Sequence, residues 1–323
     1  MTTIAVTGAS GFCGSHIAAL AAARGADVLC VGRRPGPVGR HVRWDAATDA
    51  VPDLAGADLV VHCAASVGDP VPGSPAEAAM RAVNVDGTAR LLEAAAGRPV
   101  VWVSSASVYA PGPGRERVTE NHPVHGQLNA YGRTKAEGEA LALAAGAVAL
   151  RPRAVYGEGD PHLTPRLLAR VRAGLLLLPG PDVTLSLTAV ENLADACLAA
   201  GGWPPGAYNI ADSAPYSRDE AVRAVLRAHG VRARVGHLPL PLAHGVAAAA
   251  EAVSRLRPAA EPPLTRYAVD QLAHTVVLDT AKAQQRGWRA RRSLADYTPG
   301  QGQRPVSGIS GGRGAGASST VEG

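Results

Sequence analysis

Tyr131 and Lys135 stand four positions apart, and Ser105 follows the apolar run Val100-Val101-Trp102-Val103 by two residues. The segment that begins Tyr131-Gly132-Arg133-Thr134-Lys135 is rich in helix formers, and residues four apart on a helix share a face. A phenol and an ammonium would therefore project side by side. A free phenol titrates at about 10, too high for easy proton exchange at neutral pH, but a neighbouring cation favours the phenolate. Such a tyrosine can pass a proton to or from a substrate oxygen. A serine at a strand end, as in Ser104-Ser105-Ala106-Ser107-Val108-Tyr109, can donate to that oxygen as charge develops on it. Taken alone, a tyrosine and a lysine at helical spacing are common on solvated surfaces, so the pair needs a second element to give it meaning.

That element opens the chain. Thr3-Ile4-Ala5-Val6-Thr7 is an apolar, β-branched run stopped at once by Gly8-Ala9-Ser10-Gly11-Phe12-Cys13-Gly14, which reads as a buried parallel strand, a sharp turn and a helix from Phe12 to about Arg24. Gly8 permits the turn, Gly11 lets the backbone approach a pyrophosphate, and Gly14 lets the helix pack closely on its strand, with the helix N-terminus facing the phosphates. Ser10, Phe12 and Cys13 belong to the same cofactor loop. An ordinary glycine turn is the competing reading, which the strand, turn and helix in sequence disfavour.

A second strand, Asp27-Val28-Leu29-Cys30-Val31, ends in Gly32-Arg33-Arg34. An acidic residue there would bind the adenosine ribose hydroxyls and reject a 2′-phosphate, whereas Arg33 and Arg34 can hold that phosphate. NADP(H) is therefore favoured over NAD(H), unless the two arginines are merely solvated loop charges. Asp45, after His41-Val42-Arg43-Trp44, is a candidate acceptor for the adenine amino group. The run Leu59-Val60-Val61-His62-Cys63-Ala64-Ala65 ends in small residues, as suits a strand end that meets a cofactor at Ala64 and Ala65. His62, a single histidine inside an apolar strand, reads as a core residue rather than a catalyst.

These motifs carry a resemblance. The chain resembles an extended short-chain dehydrogenase/reductase, the superfamily also described as NAD-dependent epimerase/dehydratase-like. Thr7 to Gly14 is similar to its cofactor loop, Asn84-Val85-Asp86-Gly87-Thr88 to its Asn-Val-x-Gly-Thr segment, and Ser104 to Tyr109 to its strand end. Tyr131 with Lys135 resembles its Tyr-x-x-x-Lys pair, and Leu150 to Gly157 its Leu-Arg-Pro…Tyr-Gly element. The resemblance runs from residue 3 to about 297. It implies Ser105, Tyr131 and Lys135 as catalytic residues, with Lys135 also bonding the nicotinamide ribose, and Asn84 at the cofactor. The passages Gly157 to His162, Leu264 to Tyr267 and Leu278 to Ala283 look most like the 3β-hydroxysteroid dehydrogenase and 2-alkyl-3-ketoacid reductase branch.

The expected fold is α/β: a Rossmann-type doubly wound parallel sheet with a smaller C-terminal substrate-binding lobe. Residues 1–150 are expected to form the dinucleotide-binding domain, with 190–212 returning to it. Residues 151–190 and 213–298 would form the lobe, and 299–323, dominated by Gly, Ser, Arg and Pro, a disordered tail. The activity implied is a hydride transfer between nicotinamide and the carbonyl or hydroxyl carbon of a lipid-like or alicyclic small molecule, most simply an NADPH-dependent ketoreductase. A nucleotide-sugar epimerase with tightly bound NAD and a non-catalytic NADP-binding regulator are the alternatives. Loops at 67–75, 111–127 and 157–165 would line the substrate pocket without a decisive anchor, and His122, His125 and His162 in them read as exposed loop residues.

Composition narrows the partners. With only 4% aromatic residues and a net charge of +5 spread along 323 residues, the chain lacks the stacking platforms and basic concentration of a nucleic-acid binder. Cys13, Cys30, Cys63 and Cys197 show no metal-ligand spacing, so no metal is expected and reduced thiols in a cytoplasmic protein explain them. No apolar stretch reaches membrane-spanning length and no secretory signal precedes the first strand. A small-molecule substrate is the expected partner, and a homodimer is compatible with the sequence.

Overall fold

The computed structural model describes residues 1–256 and 264–298, so the tail expected at 299–323 lies outside the described residues. Seven parallel strands form the central sheet: β1 (Thr3–Thr7), β2 (Asp27–Gly32), β3 (Arg40–Arg43), β4 (Leu59–His62), β5 (Val100–Val103), β6 (Val148–Pro152) and β7 (Gly206–Ile210). Their order is β7-β6-β5-β4-β1-β2-β3. The chain thus winds outward in one direction from β1 through β2 to β3 and in the other through β4 to β7. The point where the winding reverses, between β1 and β4, is where open α/β sheets leave a crevice at their carboxyl ends.

Strand alternation loads both faces. Ile4 and Val6 of β1, Val61 of β4, Val101 and Val103 of β5, and Val148 and Leu150 of β6 pack into one core with Ile17, Ala18 and Ala21 of α1 (Phe12–Ala23). Leu193, Ala196 and Cys197 of α6 (Val190–Ala199) close that face, so α1 and α6 lie side by side on it. Ala5, Val60, Trp102 and Ala149 point the other way, into a second core with Leu91 and Ala95 of α3 (Gly87–Ala95) and Ala142 of α4 (Ala130–Ala144). Alanine-rich helices suffice because the sheet supplies valines and one large anchor, Trp102, fully buried.

The remaining α-helices are α2 (Pro75–Arg81), joined to α3 by a π-helical turn at Ala82–Asp86, then α5 (Leu163–Ala169), α7 (Arg218–Ala228), α8 (Leu240–Leu256), α9 (Arg266–Ala273) and the short α10 (Ala281–Gln284). The run Leu175 to Leu178 becomes a strand, Leu175–Pro179, paired in parallel with Arg234–Leu238. From α9, Asp270 accepts from the Gly112 backbone at 2.8 Å and pairs with Arg115 at 2.8 Å, which ties α9 to the loop that follows β5.

Candidate active site

The turn after β1 is held open for a ligand by backbone contact alone. Gly8 has φ +67°, and a Cβ there would lie 2.8 Å from the Ala64 Cα, while one at Gly14 would lie 2.2 Å from the Gly8 carbonyl oxygen. Any side chain at either position would push the turn away from β4 or from α1. Gly11 caps α1 with no side-chain hydrogen bond to the helix start, and the first N–H to turn back is that of Ser15, to the Gly11 carbonyl at 2.9 Å. The amides of Phe12, Cys13 and Gly14 precede it and are donors suited to an anion, reinforced by the helix dipole. Ser10 and Gly11 are exposed at the tip of the turn, and Phe12 and Cys13 are half-buried.

On the β4 side, the Thr7 hydroxyl accepts from the amides of Cys63 and Ala64, both at 3.1 Å, which locks the small-residue loop against the glycine turn. Asn84, in the π-helical turn, uses its amide to clamp that loop: its oxygen accepts from Ser66 N at 2.7 Å, and its nitrogen donates to the Ser66 carbonyl and the Thr134 hydroxyl, both at 3.0 Å. The Asn84 side chain therefore positions Ala64, Ala65 and α4. His62 is buried, with Nδ1 2.7 Å from the Thr7 hydroxyl, and burial holds its pKa down to about 3. It is a neutral core residue, consistent with the sequence reading. Arg33 and Arg34 follow β2 as exposed side chains, and Asp45 Oδ1 accepts locally from Ala47 N at 3.0 Å.

The proton-transfer candidates converge between β5 and α4. Asn129 starts α4 by accepting from Gly132 N at 2.8 Å, an N-cap that fixes the first turn and with it Tyr131. A buried ion pair, Arg151 of β6 to Glu139 of α4 with Nε–Oε2 at 2.9 Å, ties the helix to the sheet one turn beyond Lys135. Ser105 stands beside Tyr131 and bears on its phenol, and the Ser105 Oγ accepts from the Ser107 hydroxyl at 2.9 Å and the Ser107 amide at 3.2 Å. Because Ser107 fills the acceptor side of Ser105, the Ser105 proton is directed toward Tyr131 and the space beside it. Lys135 is buried, donates to the Val103 carbonyl at 2.7 Å, and lies 3.7 Å from the Trp102 ring centroid.

Desolvation, and secondly the Tyr267 hydroxyl, push the Tyr131 phenol well above its ordinary value, with the Ser105 hydroxyl pulling the other way. Burial lowers the Lys135 ammonium to about 8. The expected mutual tuning of the two is thus not the dominant effect, since desolvation controls both groups. The neighbouring thiols of Cys13 and Cys63 bear on Tyr131 and on Lys135, so the glycine turn and the proton-transfer groups share one locale. Spacing gave no hint of that thiol contact, because Cys13 lies in the first turn of α1 and Cys63 directly after β4, 50 residues apart in sequence. Nor did it single out Tyr267 on α9 or Arg153 after β6. His122 packs edge-on against Tyr109 at 5.6 Å between centroids, while His125 and His162 are exposed. No group of histidine, cysteine or acidic side chains able to hold a metal occurs among the described residues, and no described helix is long and apolar enough to cross a membrane.

Residues 4–211 match the NAD dependent epimerase/dehydratase family. The chain is 30% identical over 301 residues to the 4-hydroxy-2-methyl-3-oxo-4-farnesyl-3,4-dihydroquinoline-1-oxide ketoreductase of Stigmatella aurantiaca, covering 86% of this chain and 89% of that one. It is 30% identical over 318 residues to the 2-alkyl-3-oxoalkanoate reductase of Shewanella oneidensis, covering 87% and 80%. Among solved structures it is similar to MoeE5 in complex with UDP-glucuronic acid and NAD, at a TM-score of 0.68 and 26% identity over 91% of this chain and 95% of that one. With the family matched over residues 4–211 and reductases related over most of its length, this chain belongs to the NAD dependent epimerase/dehydratase family and is an NAD(P)-dependent oxidoreductase of the extended short-chain dehydrogenase/reductase type.

Proposed function

We propose that the chain is an NADPH-dependent ketoreductase acting on the carbonyl of a lipid-like or alicyclic small molecule. The observation that carries this reading is the meeting of Ser105, at the carboxyl end of β5, with Tyr131 of α4 beside the glycine turn. A reductase needs a phenol that still holds its proton when the carbonyl oxygen becomes an alkoxide, and a half-buried Tyr131 whose phenol is held above its ordinary value meets that need.

The residues present fit a dinucleotide: the turn at Gly8, Gly11 and Gly14 and the uncapped start of α1 would hold the pyrophosphate, and Arg33 with Arg34 the 2′-phosphate of the adenosine ribose. When bound, the nicotinamide supplies the hydride. Ser105 then donates a hydrogen bond to the substrate oxygen as negative charge grows on it, and Tyr131 gives that oxygen its proton. The Ser107–Ser105 hydrogen bonds keep the donor aimed during the step. Lys135 is fixed by the Val103 carbonyl and the Trp102 face on the same side of α4 as Tyr131, where it favours the phenolate left behind.

Support for the reductase reading comes from the two related reductases, each aligned over more than four fifths of this chain. Titration with NADPH and NADH, followed by NADPH consumption across a panel of alicyclic ketones and long-chain 3-oxo esters, tests it. Tighter NADPH binding that is lost in Arg33→Ala/Arg34→Ala, with turnover of at least one ketone, is the expected result. Copurified NAD with no ketone turnover would instead favour an epimerase.

A further inference from the structure

Arg153 is a buried cation without an anion. It follows β6 directly, one strand over from Ser105, because β5 and β6 are paired neighbours with Val103 opposite Leu150. Its side chain is only 6% exposed. Nη1 donates to the Ser186 carbonyl and Nη2 to the Gln271 carbonyl, each at 2.9 Å, while Nε finds no acceptor among the described residues. None of the ion pairs among the described residues involves it: the nearby Asp270 is already paired with Arg115 and also accepts from Gly112 N. The charged groups that bear on Arg153 are therefore Arg115 and Asp270, which offset one another, and the remaining neighbour is the Tyr267 hydroxyl. A buried charge left uncompensated is expensive, and dipoles of two carbonyls replace only part of what water would give it.

Tyr267 links this cation to the chemistry, since its hydroxyl bears on both Arg153 and Tyr131. Ala154, the next residue, holds φ +44°, an uncommon conformation for a residue with a side chain, so the backbone at Arg153 is held in place at some expense. The nearby carboxylate of Asp69 bears on Tyr267 but is engaged by the Thr265 side chain and offset by Arg166 and Arg133.

We propose that Arg153, with Tyr267, is the specificity-determining anchor of the substrate pocket and receives an anionic group, a carboxylate in the simplest case, carried on the substrate close to the carbon that exchanges hydride. This rests on the reductase reading. The charge that the ligand brings completes the balance that the fold leaves open, and it sets the reacting carbon at a fixed distance from Tyr131 and Ser105. Neutral ketones of the same size would enter without that anchor.

The test compares 2-, 3- and 4-hydroxydecanoate with their methyl esters as substrates for oxidation by NADP+, in the wild-type chain, Arg153→Met and Arg153→Lys. Expected is a kcat/KM at least tenfold higher for one acid than for its ester in the wild type, a hundredfold loss on that acid in Arg153→Met with the ester within threefold, and partial recovery in Arg153→Lys. Equal losses on acid and ester in Arg153→Met would make the arginine a structural brace and overturn the proposal, as would a wild type that does not distinguish the two. Should Arg153→Met fail to fold, the wild-type ratio and Arg153→Lys decide. If no hydroxy acid, ester or ketone is turned over, the reductase reading itself has failed. Calorimetric titration of the NADP+-loaded protein with the acids then judges the anion site separately: binding that Arg153→Lys retains and the esters lack supports it, and no binding refutes it.

Discussion

Replacing Lys135 by methionine should make the protein more stable and less active. The ammonium is buried at 2% exposure, and burial takes its pKa from 10.5 to about 8. At about 1.4 kcal/mol per tenfold change in proton affinity, holding that charge inside the fold costs about 3 kcal/mol at neutral pH. Methionine fills a similar volume without charge, so Lys135→Met should gain up to about 3 kcal/mol at pH 7. The sign follows from the protonation states. Below the folded pKa of about 8 the lysine is charged in both states and the full cost is present. Between that value and the unfolded pKa the folded state has shed its proton while the unfolded chain keeps it, so wild-type stability recovers as pH rises. The advantage of the variant should fall to about 1 kcal/mol by pH 9.5. Urea unfolding of both proteins at pH 7 and 9.5 measures the difference directly, with effects of other titrating groups common to both. Turnover should fall by about a hundredfold or more, since the phenolate loses its neighbouring cation. A variant no more stable than wild type at pH 7, or one whose advantage does not change with pH, would refute the account of Lys135 as a desolvated charge retained for chemistry.

Tyr131→Phe should lower kcat by about a thousandfold while leaving the NADPH dissociation constant within about twofold, because the phenol acts on the substrate oxygen and not on the glycine turn. Equal loss in both quantities, read by stopped-flow turnover and fluorescence titration, would argue against that role. Gly14→Ala places a Cβ 2.2 Å from the Gly8 carbonyl oxygen, so either the turn or α1 must move by about an ångström. Weakening of cofactor binding by about a hundredfold follows, and isothermal titration with NADPH would detect its absence. Glu139→Ala leaves Arg151 buried without its partner and should cost about 3–5 kcal/mol in urea unfolding. A loss below about 1 kcal/mol would show that the pair does not anchor α4 to the sheet.

Much of this architecture was written locally. The β1 run, the glycine turn and the start of α1 involve neighbours in sequence, and their geometry follows from residue types within about a dozen positions. The same holds for the Tyr131–Lys135 spacing on α4 and for the burial of His62 in an apolar strand. What a sequence pattern could not supply was the balance of desolvation and charge, which depends on groups brought together from far along the chain. Lys135 was expected to tune Tyr131, yet burial against Trp102 and the Val103 carbonyl dominates its own titration. Asn84 matched a cofactor-segment motif, but its amide is occupied by Ser66 and Thr134, 18 and 50 residues away. Residue types and spacing determined the strand, turn and helix that could cradle a dinucleotide and the pair that could move a proton. Only the tertiary structure decided which charges are left without partners, because a charge such as that of Arg153 is compensated or not by Ser186, by α9 and by the loop after β5, which meet only once the chain has folded.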